Sequence, residues 1–335
     1  MTALRALSPS VRGSLLIVTA ATFAGILGPL ARMLYDQGMT PFAFVVWRGI
    51  IAGGALWLLV AWRRRRDPAR HGIALGRLPR RERLALLAFV TSNVVLNTSL
   101  FVAFDRIPIA IALLTFYTYP VLLALYGRLT GSETLGPVKV AALGLALLGL
   151  ALVVMAGFDP ASGLGLDPLG LALGFLSSIT AATWVGFGRE CRSVPAEQAM
   201  GLALAATVVA VGLLALVTGP AQALRFPLDH VGIWPILLVS GILSGAGAAF
   251  LFTLGIRLIS RVRAGVLGLI EPIVGTVAAA ILLAQVLAPI QVIGGALVLG
   301  AAVLIQLDRE PVPAAAAGSP EVLSDGELAA PVALV

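Results

Sequence analysis

The sequence predicts an all-α integral membrane protein of ten transmembrane helices, arranged as two inverted five-helix repeats with both termini cytoplasmic. Three observations carry this: the composition, ten apolar runs of bilayer length, and two internal correspondences between the halves. Of 335 residues, 59% are hydrophobic and 12% charged, with a mean hydropathy of +1.01, whereas a soluble domain carries roughly a quarter charged residues. The 37 glycines and 20 prolines suit the same medium, because neighbouring helices in a membrane re-satisfy the backbone groups that such residues free.

A spanning helix needs roughly 20 apolar residues, and the runs that reach this length are 14–34, 41–62, 84–104, 108–129 and 135–156, then 168–188, 196–217, 233–254, 262–283 and 289–307. The first run follows Arg5 and Arg12 but is long and has nine successors, so it reads as an uncleaved helix rather than a signal peptide. Placing the N-terminus inside puts 19 of the 23 basic residues in cytoplasmic loops and tails, as the positive-inside rule requires. Arg32, Arg106 and Arg225 then lie outside and Arg48 within the second run. The Arg63–Arg66 cluster reads as an interfacial anchor facing anionic lipid. From Asp308 onward the chain turns to Pro, Ala, Gly, Ser and acids without periodicity, the composition of a disordered tail.

Thr19-Ala20-Ala21-Thr22-Phe23-Ala24-Gly25 recurs as Thr180-Ala181-Ala182-Thr183-Trp184-Val185-Gly186, in the first and sixth runs. A second correspondence, at an offset of 152, pairs Ile107 with Ile259, Ala112 with Ala264, Pro120 with Pro272, Pro137 with Pro289 and Leu145 with Leu297. With five spans per copy, the second copy enters the membrane in the opposite sense. The expected divisions are 1–156 and 157–307 for the repeats, and 308–335 for the tail.

These residues resemble the drug/metabolite transporter superfamily and its ten-span EamA-type members over roughly residues 13–305. Arg48-Gly49-Ile50-Ile51-Ala52-Gly53 looks like the family's second-span arginine segment, and Asp105 through Pro120 like its third loop and fourth helix. Gly131-Ser132-Glu133-Thr134-Leu135 looks like the turn before the fifth span, while Ile270-Glu271-Pro272-Ile273 and Ala284-Gln285-Val286-Leu287 repeat the pattern. Tyr119 and Gln285 stand where relatives often carry Glu. The resemblance implies a secondary transporter working by alternating access.

Within the spans, Glu271 is the sharpest signal, since an ionised carboxylate in a bilayer costs roughly 2.5–3.5 kcal/mol on insertion scales and so faces a cavity or a partner. Helical spacing puts Gly268, Glu271 and Gly275 on one face, and Pro272 frees a carbonyl one turn earlier. Glu271 then either meets a substrate amine or coupling proton, or locks the ninth span to a neighbour. Arg48 either snorkels toward the outer interface or captures a carboxylate in the outer vestibule. An Arg48–Glu271 pair would be attractive, but the two differ in expected depth. Asn93 and Asn97, Thr115 and Tyr119, and Thr180 and Trp184 gather on single helix faces as cavity candidates. Serine and threonine often bond only their own backbone or a neighbouring helix, so the asparagines, Tyr119 and Trp184 stand above the threonines. Gly241, Gly245, Ser240 and Ser244 form small faces that read as scaffold.

The resulting expectation is an exporter of amino acids or related small polar metabolites in a bacterial inner membrane, monomeric or homodimeric. A cationic drug efflux carrier is the alternative within the class, and a non-transporting membrane scaffold the alternative outside it. The net charge of +7 lies in loops between apolar runs, so no nucleic-acid partner is expected. Cys191 stands alone, and His71 and His230 are far apart, so neither a disulfide, a metal site nor a cofactor is expected. No span holds a catalytic set and no phosphate-binding loop is present, so an enzyme and a nucleotide-driven pump are both disfavoured.

Overall fold

The computed structural model describes residues 8–66, 76, 78–107, 109–131, 134–155, 167–191, 193–218, 221–284 and 288–307. Ten helices among them are long and apolar enough to cross a membrane: Pro9–Tyr35, Pro41–Arg66, Arg80–Phe104, Ile111–Leu129, Pro137–Met155, Pro168–Gly188, Ala196–Thr218, Val231–Gly255, Arg261–Leu282 and Pro289–Leu307, hereafter spans one to ten. Glu133, Gln285 and the tail 308–335 lie outside the described residues.

Local chemistry explains where the spans begin. Span one starts earlier than its apolar run because the Ser8 hydroxyl accepts from the Val11 N–H at 3.4 Å and Pro9 takes the first helical position. Asp167 caps span six by accepting from the N–H groups of Leu169 and Gly170, both at 3.3 Å, and Pro168 follows it. The Arg106 guanidinium, which donates to Asp167 at 2.8 Å, is the chief cause holding that carboxyl below its usual range, and the two N–H groups add to it.

Three spans are broken, each by the same device. Proline has no N–H for the carbonyl four residues back and its ring crowds that carbonyl. Span one divides at Ile26, where Pro29 leaves the Gly25 carbonyl without its donor; span four divides after Phe116, opposite Pro120; span nine divides after Gly268, opposite Pro272. The breaks in spans four and nine coincide under the 152-residue offset. Span eight departs differently: Ser240–Gly247 winds as a π-helix between two α-helical pieces.

The helices pack as an exchange of the two repeats would require. Span two lies on span seven and span five on span ten, while the span three–six contact is matched by span eight on span one. The five–ten seam is nearly symmetric. A Cβ at Gly149 would sit 2.5 Å from the Gly294 carbonyl oxygen and 2.9 Å from Leu297, and one at Gly294 would meet the Gly149 carbonyl and Leu152 at the same distances. Ala142 and Ala301, which the offset makes the images of Gly294 and Gly149, are likewise fully buried. Small residues allow this approach where lipid supplies no hydrophobic drive for association.

One end of the bundle is rich in basic residues and tied by charge. The Arg63 guanidinium donates to Glu197 at 3.1 Å with side chains only 6% and 1% exposed, and lies over the Phe250 ring at 5.5 Å. Nearby, Arg257 donates to the Gly188 and Val194 carbonyls, Glu82 accepts from Ser193, and Arg263 bonds Ser10. Cys191 is buried among these contacts, and burial pushes its thiol up to about 11.

The seam and the buried thiol can each be probed. Gly149→Leu should lower the thermal unfolding midpoint in detergent by several degrees, as overpacking of about 1–3 kcal/mol would; an unchanged midpoint would place no close approach there. Because the thiolate is the reactive form, native Cys191 should resist maleimide at pH 7.5 and label rapidly once the protein is denatured, whereas native labelling at the rate of a free thiol would contradict its burial.

Candidate functional site

The broken spans meet at Glu271. This residue lies in the first turn of the half-helix Ile270–Leu282, where the positive end of the helix dipole favours a carboxylate. Span one approaches it with its own break: a Cβ at Gly25 would lie 2.6 Å from the Glu271 carbonyl oxygen, and one at Gly275 would lie 3.1 Å from that of Gly25. The face expected from spacing, Gly268-Glu271-Gly275, is thus a crossing surface. Span four supplies the other wall, with Pro120 against Gly265 and the Tyr119 hydroxyl filling the space a Gly268 side chain would need. Tyr119 is the image of Glu271 in the first repeat, and both precede the proline that breaks their helix.

Around the carboxylate the lining is aromatic. The Tyr117 hydroxyl faces Glu271, and the charge of Glu271 reaches Tyr119 and Arg48. Phe116 contacts Tyr117 and Tyr119 with ring centroids 4.8 and 5.8 Å apart. Trp184 is stacked between Phe252 at 5.3 Å and Phe89 at 5.6 Å, and Phe252 extends to within 3.9 Å of the Gly268 Cβ position. The Trp184 indole N–H is buried without an acceptor among the described residues.

Arg48 and Glu271 sense each other's charge yet form no ion pair. Both remain half-buried rather than covered.

The other sequence candidates divide. Asn93 is 6% exposed and accepts from Thr207 of span seven at 3.0 Å, which ties spans three and seven, while the Asn97 amide donates to the Asn93 carbonyl at 2.8 Å within span three. Thr115 is buried against Gly174 and donates to the Ala112 carbonyl at 2.8 Å; Thr180 donates to the Leu176 carbonyl at 2.8 Å. Sequence reasoning missed Tyr117, Tyr35, which lies within electrostatic range of Arg48, and the π-helix. Tyr117 and Tyr35 were findable as hydroxyls two residues before Tyr119 and one residue past the first run; the π-turn has no sequence period of its own.

Two clefts of about 220 and 290 Å³ lie elsewhere. Leu122, Tyr126, Ile179 and Glu190 line the first; Ile273, Thr276, Gln291 and Leu299 line the second. Both include strongly exposed apolar side chains such as Ile179 and Leu299, which places them on the bundle's flanks. Among the described residues no group of three or more metal-ligating side chains gathers.

Ten spans, paired repeats and broken helices at an embedded charge define a multi-pass membrane protein with the architecture of inverted-repeat transporters. The family model of the EamA-like transporter family matches residues 11–155 and 168–307, and the chain belongs to this family of the drug/metabolite transporter superfamily. A solved structure named only as "Crystal structure of protein" is similar in fold, with a TM-score of 0.70 and 22% identity over 87% of this chain and 96% of its own. No curated protein matches the chain.

Pro272→Ala would restore an N–H for the Gly268 carbonyl. Its thermal midpoint should rise and amide exchange around Gly268 should slow; exchange as fast as in the wild type would mean that proline does not cause the break.

Proposed function

We propose that the chain is a secondary carrier that exports amino acids or related small polar metabolites by alternating access. One observation carries the reading: an embedded carboxylate and an embedded guanidinium lie within range of each other's charge without forming an ion pair, and the carboxylate sits where three proline-broken helices meet. Unpaired charges inside a membrane are costly and mark substrate or ion pathways. A zwitterion presents the complementary pair of charges.

The repeats, 1–156 and 157–307, would rock against one another about the five–ten seam and expose the centre to each side in turn. The basic end would be cytoplasmic, in keeping with the positive-inside rule, and a bacterial inner membrane is the natural address. Glu271 would carry the coupling proton. The aromatic lining favours a second reading, efflux of apolar cations held by Glu271 and the tyrosine faces.

The test is flux in proteoliposomes preloaded with amino acids and small metabolites, with and without a pH gradient. Release of an amino acid above empty liposomes is expected; release of lipophilic cations alone would move the cargo to the second reading. Glu271→Gln should abolish dependence on the pH gradient while leaving counterflow intact, and an unchanged dependence would remove Glu271 from coupling.

A further inference from the structure

Arg48 lies two turns into span two, and its guanidinium makes no hydrogen bond to any described residue. Its Nε is fully covered and has no acceptor. Its company is the Phe44 ring, 5.9 Å away, and the Tyr35 hydroxyl and Glu271 carboxylate at longer range. An arginine that anchors a helix sends its head to the interface, where phosphates and water satisfy it. Arg48 instead lies against the interior, since the π-helix of span eight closes over its stem and backbone. A Cβ at Gly245 would sit 3.8 Å from Arg48 Cγ, and one at Gly241 would sit 3.4 Å from the Arg48 carbonyl oxygen.

The same π-helix holds a second unsatisfied donor. Ser244, beside Gly245, is 5% exposed and its hydroxyl has no partner among the described residues. Other intramembrane hydroxyls, those of Thr19, Thr22, Thr183, Thr253 and Thr276 among them, return to a carbonyl one turn back. Ser240, at the start of the same π-helix, also donates back to a carbonyl, that of Leu237 at 2.8 Å, so Ser244 stands apart from it, and local widening of this kind recurs at functional sites. Buried donors without acceptors are rare in native proteins, and each calls for a missing partner.

We propose that Arg48 and Ser244 form the seat for the carboxylate of the cargo, so that Arg48 distinguishes α-amino acids from the amines they become on decarboxylation. This rests on the carrier reading above. The planar guanidinium fork matches a carboxylate in two parallel bonds, which a lysine cannot reproduce. The ammonium of the same ligand is left for Glu271, and its side chain for the aromatic wall of Phe116, Tyr117 and Tyr119. An amine without a carboxylate satisfies Glu271 but leaves both donors on the π-helix side empty.

Counterflow into proteoliposomes tests this with matched pairs, each an amino acid and its decarboxylated amine, such as phenylalanine with phenethylamine and leucine with isopentylamine. Wild-type protein should prefer the amino acid at least 10-fold. Arg48→Gln should bring that ratio close to one by losing the amino acid while amine flux persists; Arg48→Lys should retain only part of it, and Ser244→Ala should lose 3- to 10-fold. Arg48→Lys and Ser244→Ala keep the test decisive where Arg48→Gln fails to fold, judged by its thermal midpoint. A wild-type preference that survives all three substitutions overturns the carboxylate seat and leaves the carrier reading intact. Equal or better flux of the amines in wild type overturns both the seat and the amino-acid cargo, and silence of wild type across every pair overturns the carrier reading with it.

Discussion

Three prolines each withhold a backbone N–H from a carbonyl four residues earlier, and the centre of this molecule depends on it. In a bilayer core an unsatisfied carbonyl has no water to turn to, so a broken helix is tolerated only where it is buried in protein or lines a wet interior. Pro29, Pro120 and Pro272 place their breaks at Ile26, at Tyr117–Thr118 and at Leu269, and the glycines beside them bring the broken segments into contact. The break in span nine also creates a helix N-terminus partway along the span, and Glu271 lies in its first turn, where the helix dipole favours a carboxylate.

The two ends of the bundle are held by different chemistry. At the basic end a buried ion pair joins spans two and seven through Arg63 and Glu197, with Phe250 over the guanidinium. At the far end of the same seam the contact is apolar, built from Val45, Val46 and Val211 with Phe42 and Phe101 against them. A buried pair is strongly unfavourable to break by halves, since the lone charge left behind has no solvent, whereas apolar faces part gradually. The Arg106–Asp167 pair there is largely open to its surroundings, at 43% and 33% exposure, and contributes little to closure.

The architecture was legible because it rests on composition and repetition. Apolar runs of bilayer length mark the spans, and Pro120 and Pro272 mark the breaks under one offset. Glu271 was legible as a charge that could not face lipid. Less was visible where partners decide. The sequence places Asn93 and Thr180 on polar helix faces but does not show that Asn93 accepts from Thr207 of another span, or that the Thr180 hydroxyl donates to the Leu176 carbonyl of its own helix. For Arg48 the sequence leaves interfacial anchoring and carboxylate capture side by side, because a helix seen alone does not show that the π-helix of span eight, at Gly241 and Gly245, packs over the arginine's stem and backbone.

The most direct test of the central arrangement is an experimental structure of the full chain in a lipid nanodisc, solved in the presence of a transported amino acid. Density for the ligand should bridge Arg48 and Glu271 at the meeting of the three breaks, with its carboxylate toward span two and its ammonium toward span nine. A ligand seated in either flank cleft, or Arg48 and Glu271 closed on one another with nothing between them, would contradict it.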